Sequence, residues 1–154
     1  STIYEKEKIL DTGGGILNAI NNFDESFLCI NPDTIWNINY INELKKMERE
    51  FIINKSKCSL LVVNKSKSFD TRLKGDFNLD NGFLKRKKNN NLEYIYTGLQ
   101  IIHPDIFSNI KTKIFSMNKI WSKLILNNEL RAFESNIEFK HISTLDIYNK
   151  LNIK

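Results

Sequence analysis

The first half of the chain alternates between continuous apolar runs and apolar residues spaced three or four positions apart. The runs at residues 27–30 and 59–63 are typical of strands that are buried on both faces of a sheet. Helical spacing covers residues 16–23 and 38–51. A short strand at residues 2–10 and a glycine turn precede the first of these helices. This order predicts an α/β unit with right-handed connections around a parallel sheet.

The second half changes to an antiparallel pattern. Asn81 and Gly82 supply a two-residue hairpin turn between short alternating segments, and a strand over residues 93–102 is interrupted by Gly98. We therefore predict one domain over residues 1–154 of class α/β: a Rossmann-like, mostly parallel sheet flanked by helices, with an antiparallel hairpin portion in its second half. The remaining predicted elements are a short helix opened by Pro104, a helix capped by Ser116, strands at residues 130–133 and 137–142, and a final helix capped by Ser143 or Thr144.

Composition narrows the classes of function without selecting one. Apolar residues make up 41% and charged residues 27% of the 154, which is typical of a globular domain. No apolar run approaches the roughly 20 residues that span a bilayer. The opening residues lack the regions of a secretory signal. Cys29 and Cys58 have no CxxC spacing, so we expect reduced thiols in a cytoplasmic protein.

The net charge of +5 raises the question of a nucleic-acid partner. The chain has 19 lysines, 4 arginines, 21 asparagines and 22 isoleucines, a bias towards residues with A/T-rich codons that accounts for much of this basicity. Only Lys85-Arg86-Lys87-Lys88 forms a basic block, and no aromatic residue interleaves it as a stacking platform requires. A solvated hairpin end explains the block better than nucleic-acid binding does.

Four short motifs lie at places where an α/β sheet commonly binds a ligand. Gly13-Gly14-Gly15 is at a predicted strand-to-helix junction, where backbone amides can approach a flat ligand. Asn31-Pro32-Asp33 follows a buried strand, and a carboxylate there can hold Mg²⁺ against phosphates. Gly75-Asp76 precedes the hairpin, and Tyr96-Thr97-Gly98 interrupts a strand where a backbone can approach a ligand.

Each motif also has a purely structural interpretation, and for each taken alone both remain open. The glycine triplet suits a tight turn, Asp33 suits a helix cap, and a strand glycine suits an ordinary irregularity. His141, near the end of a late strand, suits a packed or surface histidine. Serine-histidine-acid catalysis has no GxSxG motif to support it, and cysteine-histidine catalysis and zinc sites lack the required spacing.

The order of the motifs along the chain is more specific than any one of them. The series runs Leu10-Asp11-Thr12-Gly13-Gly14-Gly15-Ile16, Ile30-Asn31-Pro32-Asp33-Thr34-Ile35-Trp36, Gly75-Asp76-Phe77, Tyr96-Thr97-Gly98 and Phe115-Ser116-Met117-Asn118. This series resembles the sugar-1-phosphate nucleotidyltransferases over nearly the whole chain. The resemblance is nearest to the N-acetylmuramate-1-phosphate uridylyltransferase and mannose-1-phosphate guanylyltransferase-like branch.

The resemblance implies a fold of the nucleotide-diphospho-sugar transferase type and a role for each motif. Gly13, Gly14 and Gly15 would lie beside the nucleotide. Asp33 would be the catalytic residue that binds Mg²⁺, and His141 would stand at the second metal-ligand position. The sugar-phosphate pocket would be lined by Asn31, Gly75, Asp76, Thr97 and Gly98. A sugar-1-phosphate oxygen would attack the α-phosphorus of a nucleoside triphosphate (NTP) and release pyrophosphate, in cell-wall or surface sugar metabolism.

The sequence departs from the family pattern at several places. A Gly-rich GxGxR loop followed by Pro-Lys, which cradles the triphosphate in the family, has no counterpart here. Pro32, His141 and Ser143 are also off pattern. We therefore expect a domain that lacks its amino-terminal strands and is inactive by itself, with a non-catalytic binding module as the alternative. We further expect self-association or docking of an amino-terminal segment at the exposed sheet edge.

Overall fold

The computed structural model describes residues 2–5, 8–86 and 91–152. Within these residues the helices are α1 (Asp11–Ala19), α2 (Tyr40–Ile53), α3 (Asn118–Leu126) and α4 (Leu145–Asn152), with 3₁₀ turns at Ile20–Asn22, Lys65–Lys67 and Pro104–Phe107. The strands are β1 (Phe27–Ile30), β2 (Cys58–Asn64), β3 (Asn78–Asp80), β4 (Phe83–Lys85), β5 (Tyr94–Ile102) and β6 (Arg131–Ser135). None of the four helices is long and apolar enough to cross a membrane.

Local signals place most elements correctly. β1 covers the predicted run, and β2 extends the predicted run by one residue at each end. Asn81 and Gly82 have φ of 49° and 79°, the left-handed values that a tight hairpin turn uses. Thr144 caps α4, since its Oγ1 accepts a hydrogen bond of 3.3 Å from the backbone N–H of Ile147.

The sheet is mixed, with strand order β1-β5-β2-β6-β4-β3. β1, β2, β6 and β3 share one direction, whereas β5 and β4 run the opposite way. The predicted α/β sheet with helices and an antiparallel hairpin is confirmed. Its neighbours nevertheless pair mostly antiparallel, because β5 inserts between β1 and β2. Among the strand pairs of the described residues, only β2 and β6 are parallel.

Both faces of the sheet are covered. On one face, α1 and α3 pack on a core that includes Leu60 and Val62 of β2. On the other face, α2 packs on a second core that includes Leu61. Alternate residues of β2 therefore enter opposite cores, which explains the continuous apolar run.

The predicted strand at residues 2–10 is wrong for the residues that the structure describes there; Lys6 and Glu7 lie outside them. Residues 2–5 and 8–10 form neither helix nor strand. Tyr4 and Ile9 are 80% and 86% exposed, so these two apolar side chains are in solvent instead of packing as strand residues.

The predicted glycine turn is also wrong, because α1 already begins at Asp11 and contains all three glycines. A Cβ at Gly13 would lie 2.4 Å from the ring of Phe115, and one at Gly14 would lie 2.2 Å from the carbonyl oxygen of Lys113. Close packing of α1 against residues 113–115 therefore requires glycine, although glycine is unfavourable within a helix.

The first strand in sequence, β1, is at the edge of the sheet and is open on the α2 side. Leu28 and Ile30 are 44% and 46% exposed, and a cavity of about 650 Å³ lies between β1 and α2, lined by Leu28, Ile41 and Ile52.

Self-association or docking of an amino-terminal segment at this edge of the sheet stays a prediction. We expect light scattering to give a dimer at high concentration and Leu28→Lys to shift it to a monomer. A monomer at every concentration would contradict self-association.

An ion pair connects α4 to the loop after β2 and makes stability depend on pH. The Arg72 guanidinium donates to both carboxylate oxygens of buried Asp70, at 2.8 and 2.9 Å. These bonds hold the pKa of Asp70 at about 2, below its ordinary 3.8. Arg72 also lies 3.7 Å from Asp146 of α4.

We expect Asp70→Asn to weaken the dependence of the free energy of unfolding on pH between pH 4 and pH 2. A depressed folded-state pKa stabilises the fold above pH 4, and this contribution disappears as the pH falls towards 2. It amounts to about 1 kcal/mol, because water screens the largely exposed Arg72. Urea unfolding at neutral and acidic pH measures the difference, and Asp24→Asn is the exposed control. Equal slopes in wild type and Asp70→Asn would contradict the assignment.

Candidate functional site

The segment after β1 brings Asp33 to His141. The backbone of Thr34 forms an antiparallel bridge with His141, and Ile142 N–H donates to the Asp33 carbonyl at 2.8 Å. The side chains then meet, with Asp33 Oδ2 3.2 Å from His141 Nε2. The predicted strand at residues 137–142 forms isolated bridges rather than a regular ladder, because it pairs first with the loop at Ser68 and then with Thr34.

Gly98 creates a bulge in β5 directly beside this segment. Its φ is +91°, and the register with β2 shifts between Leu60 and Val62. The Asn31 N–H donates to the Gly98 carbonyl at 2.7 Å, and a Cβ on Gly98 would lie 2.8 Å from that of Asn31. The bulge therefore requires glycine and fixes Asn31 at the end of β1.

Thr97 forms hydrogen bonds that join the bulge to β2 and to the segment after β1. Its buried hydroxyl donates to the Leu61 carbonyl at 2.9 Å, and its carbonyl accepts from the Thr34 hydroxyl at 2.8 Å. Trp36 Nε1 donates to the Asn31 carbonyl at 3.1 Å. Backbone groups that the bulge releases from the β ladder thus find side-chain partners.

Asp76 enters the site from the segment before β3. One carboxylate oxygen, Oδ2, accepts a 2.9 Å hydrogen bond from the Tyr96 N–H. Burial raises the pKa of Asp76, while that hydrogen bond and the nearby Arg86 charge oppose the rise. Gly75 is required by packing, since a Cβ there would lie 2.1 Å from the Leu92 carbonyl oxygen.

These residues surround two adjoining cavities that share Asn31, Asp76 and Tyr96. The first, the Asp33 cavity, has a volume of about 180 Å³. The second, the Arg86 cavity, has a volume of about 330 Å³. The Asp33 cavity is lined additionally by Asp33, Thr34, Leu73, Lys74, Ile95, Thr97, Gly98, Phe139 and His141. The Arg86 cavity is lined additionally by Asp11, Thr12, Ile16, Cys29, Arg86, Gln100, Ser116, Met117, Asn118 and Trp121.

Most of the predicted site residues therefore meet around one place. Six of them line the Asp33 cavity: Asn31, Asp33, Asp76, Thr97, Gly98 and His141. Gly13, Gly14 and Gly15 line neither cavity. The N–H groups of Gly13 and Gly14 both donate to the Phe115 carbonyl, at 2.9 and 3.0 Å. Nucleotide contact by these glycines stays a prediction, and their amides already have a partner in the fold.

Sequence reasoning missed the polar and aromatic wall of the Arg86 cavity. Trp121 Nε1 donates to the buried Gln100 side chain at 3.2 Å, and the Trp121 and Tyr96 rings meet edge to face. Asn118 belongs to a motif that carried the resemblance, but no role was predicted for it. Arg86 belongs to the basic block that the sequence predicts to be a solvated hairpin end; it is exposed, and it also lines the Arg86 cavity. Lys87 and Lys88 of the same block lie outside the described residues.

The donors at the Asp33 cavity fit a hard cation only in part. Mg²⁺ prefers oxygen ligands and is commonly held by one or two carboxylates together with substrate phosphates. Asp33, with its side chain 48% exposed, can supply one such carboxylate. The His141 imidazole is a poor ligand for Mg²⁺. Within the described ranges, no group of three or more His, Cys, Asp or Glu residues is placed to hold a metal.

Comparison with known proteins identifies the fold. No protein-family model matches the chain, and no curated protein matches it in sequence. HddC from Yersinia pseudotuberculosis aligns with a TM-score of 0.67 and 22% identity, covering 97% of this chain and 65% of its own. A putative glucose-1-phosphate thymidylyltransferase from Bacillus anthracis aligns with a TM-score of 0.67 and 16% identity, covering 97% of this chain and 61% of its own. The inositol-1-phosphate CTP transferase from T. maritima aligns with a TM-score of 0.66 and 12% identity, covering 90% of this chain and 58% of its own.

The chain therefore has a sugar-phosphate nucleotidyltransferase-like fold, as the sequence resemblance implies. At these identities the likeness shows the fold alone. The chain spans less than two thirds of the length of each of these proteins.

Proposed function

We propose that this chain is the acceptor-binding part of a sugar-1-phosphate nucleotidyltransferase, which joins a nucleotidyl group from an NTP to a sugar 1-phosphate. The observation that carries the proposal is the convergence of Asn31, Asp33, Asp76 and Gly98 on the Asp33 cavity, with Asn31 and Asp76 also lining the adjoining Arg86 cavity. HddC has also been solved in complex with GMP-PN, and the B. anthracis protein in complex with a sucrose. A nucleotide and a sugar are thus reasonable ligands for this fold.

The reaction would exchange one phosphoanhydride bond for another. An oxygen of the sugar phosphate attacks the α-phosphorus in line, the bond from that phosphorus to the bridging oxygen breaks, and pyrophosphate leaves with the electron pair. Such transfers depend on positioning and on neutralising charge. A bound Mg²⁺ supplies that neutralisation at the phosphate oxygens.

The described side chains divide this work between the two cavities. Asp33 would hold the cation together with the nucleotide phosphates, and His141 would orient the Asp33 carboxylate through their 3.2 Å contact. Asn31, whose N–H donates to the Gly98 carbonyl, lines both the Asp33 cavity and the Arg86 cavity, where the acceptor would bind. Asp76 and Asn118 offer a carboxylate and an amide to sugar hydroxyls.

One observation favours a second candidate, a binding module without catalysis. The amides of Gly13 and Gly14 donate to Phe115 and are not free for a nucleotide. The Arg86 cavity, where the acceptor would bind, has a polar and aromatic lining. A chain of this kind would bind sugar phosphate without binding NTP.

Isothermal calorimetry with UTP, GTP and a sugar 1-phosphate separates the two candidates. Titrations are run with Mg²⁺ and with EDTA, on the chain alone and with an added polypeptide that carries a GxGxR…PK segment. The nucleotidyltransferase proposal predicts Mg²⁺-dependent heat with one of the nucleotides. Heat with sugar phosphate alone supports the binding module. Absence of nucleotide heat in every mixture would overturn the nucleotidyltransferase proposal.

A further inference from the structure

Gln100 is a polar residue inside the apolar half of β5. It lies between Leu99 and Ile101 and is only 3% exposed, so its amide is in the interior of the protein rather than in solvent. Burying an amide costs free energy unless hydrogen bonds compensate for the water that it loses. An apolar side chain of similar size would fill this position without that cost. A glutamine here therefore requires an explanation beyond packing.

The Gln100 amide makes hydrogen bonds to side chains of two other elements. Its oxygen accepts a bond of 3.2 Å from Trp121 Nε1. Cys29 is the cross-strand partner of Gln100 in β1. Burial raises the pKa of the Cys29 thiol, and a side-chain hydrogen bond with Gln100 opposes that rise. Because Trp121 is only 7% exposed, its indole N–H needs an acceptor within the protein, and Gln100 supplies it.

This hydrogen bond joins α3 to the sheet at the Arg86 cavity. Cys29, Gln100 and Trp121 all line that cavity. The Tyr96 ring meets the indole edge to face with the ring centroids 4.9 Å apart, and the Phe77 ring meets it edge to face at 6.1 Å. One directional hydrogen bond and two aromatic contacts thus hold the indole in a single orientation.

We propose that Gln100 is a positioning residue, which holds Trp121 so that the indole packs against the sugar ring of the acceptor. This inference rests on the proposed function for the identity of the acceptor as a sugar phosphate. Small-molecule pockets combine an apolar and aromatic lining with a few polar groups that fix orientation. Trp121 and Tyr96 supply the aromatic part, and Asp76 and Asn118 supply the polar part. The cavity volume of about 330 Å³ is within the range of such pockets.

A double-mutant cycle on the binding of glucose 1-phosphate and mannose 1-phosphate tests the proposal by calorimetry. Gln100→Met keeps a side chain of similar length without the acceptor oxygen, and Trp121→Phe keeps an aromatic ring without the N–H. We expect each single variant to weaken binding about tenfold. The double variant should lose little more than either one, because Gln100 acts through Trp121. Additive losses, or wild-type affinity in Gln100→Met, would overturn the proposal.

Two further variants separate positioning from general loosening of the fold. A buried glutamate is protonated, and its carbonyl can still accept from the indole, so Gln100→Glu should bind better than Gln100→Met. Ser135→Ala is the matched control, because Ser135 is buried, its hydroxyl bonds to Glu43, and it lines neither the Asp33 cavity nor the Arg86 cavity. It should bind sugar phosphate like wild type. A loss in Ser135→Ala equal to that in Gln100→Met would contradict the proposal.

Nuclear magnetic resonance of the wild-type chain gives a measurement that does not depend on any variant folding. The chain has two tryptophans and therefore two indole N–H signals, and through-space contact with the Tyr96 ring identifies that of Trp121. A sugar 1-phosphate should shift the Trp121 signal more than inorganic phosphate does. It should also shift that signal more than the signal of Trp36, which lines neither of the two cavities. An unshifted Trp121 signal at millimolar sugar 1-phosphate would overturn the proposal.

The proposed function and this inference fail separately. A Trp121 signal that responds to sugar phosphate, without nucleotide heat in any mixture, would overturn the nucleotidyltransferase function alone. Mg²⁺-dependent nucleotide heat, with a Trp121 signal that no sugar phosphate shifts, would overturn this inference alone.

Discussion

Gly98→Ala is expected to lower the free energy of unfolding by about 3 kcal/mol. Two costs add. A residue with a Cβ is strained at φ +91°, and the new Cβ would lie 2.8 Å from that of Asn31. The backbones cannot separate to relieve the contact without losing the 2.7 Å bond from Asn31 N–H to the Gly98 carbonyl. Urea unfolding monitored by circular dichroism measures the loss.

Gly82→Ala is the control that measures backbone strain without steric overlap of the new Cβ. Gly82 also has positive φ, at +79°, but its Cβ would meet only the end of the Arg131 side chain at 3.5 Å. We expect a loss of about 1 kcal/mol there, from strain alone. If both variants lost the same amount, the close approach of Asn31 to Gly98 would not be a real constraint. A Gly98→Ala chain that retained folding should also bind sugar phosphate more weakly, because Asn31 moves.

Asp33→Asn should remove the Mg²⁺-dependent part of nucleotide binding. Asparagine keeps the size and the backbone of this segment, so the 2.8 Å bond from Ile142 N–H to its carbonyl survives. What disappears is the negative charge that would hold a cation and pair with His141. We expect the affinity for UTP or GTP with Mg²⁺ to fall about 10- to 100-fold, and the affinity in EDTA to change little.

Asp105→Asn is the control for this charge change. Asp105 also pairs with a histidine, with His103 Nδ1 3.4 Å from its carboxylate, and it lines neither of the two cavities. It should bind nucleotide like wild type. Equal Mg²⁺ dependence in wild type and Asp33→Asn would show that Asp33 is not the metal-binding residue. His141→Ala keeps Asp33 and removes its imidazole partner. Any loss of Mg²⁺-dependent nucleotide binding in that variant would therefore measure how far His141 orients the Asp33 carboxylate.

The candidate site could be predicted in part because some of its features are local. Asp33 follows directly after an apolar run, and Gly98 interrupts another, so their places in the fold are readable from neighbouring residues. Arg86 could not be predicted in the same way. Within a run of four basic residues it is indistinguishable from a solvated side chain. Its position at the cavity depends on Phe77 and on Asn118, 32 residues further along the chain.

The glycine triplet shows the opposite error. A local pattern indicates flexibility, and flexibility suggests a turn or a ligand loop. The structure instead uses Gly13 and Gly14 where a helix must approach the backbone of residues 113–115. That requirement arises from a contact about a hundred positions away, and a pattern of neighbouring residues carries no sign of it.

The sequence by itself determined the type and order of most elements, the hairpin turn at Asn81 and Gly82, and the cap of α4. These follow from periodic burial and from hydrogen bonds between near neighbours, both of which leave a local pattern. Only the tertiary structure decided that β5 inserts between β1 and β2, that His141 meets Asp33, and that Arg86 faces the cavity. Those contacts depend on which segments become neighbours, and that choice comes from packing of both sheet faces over the whole chain.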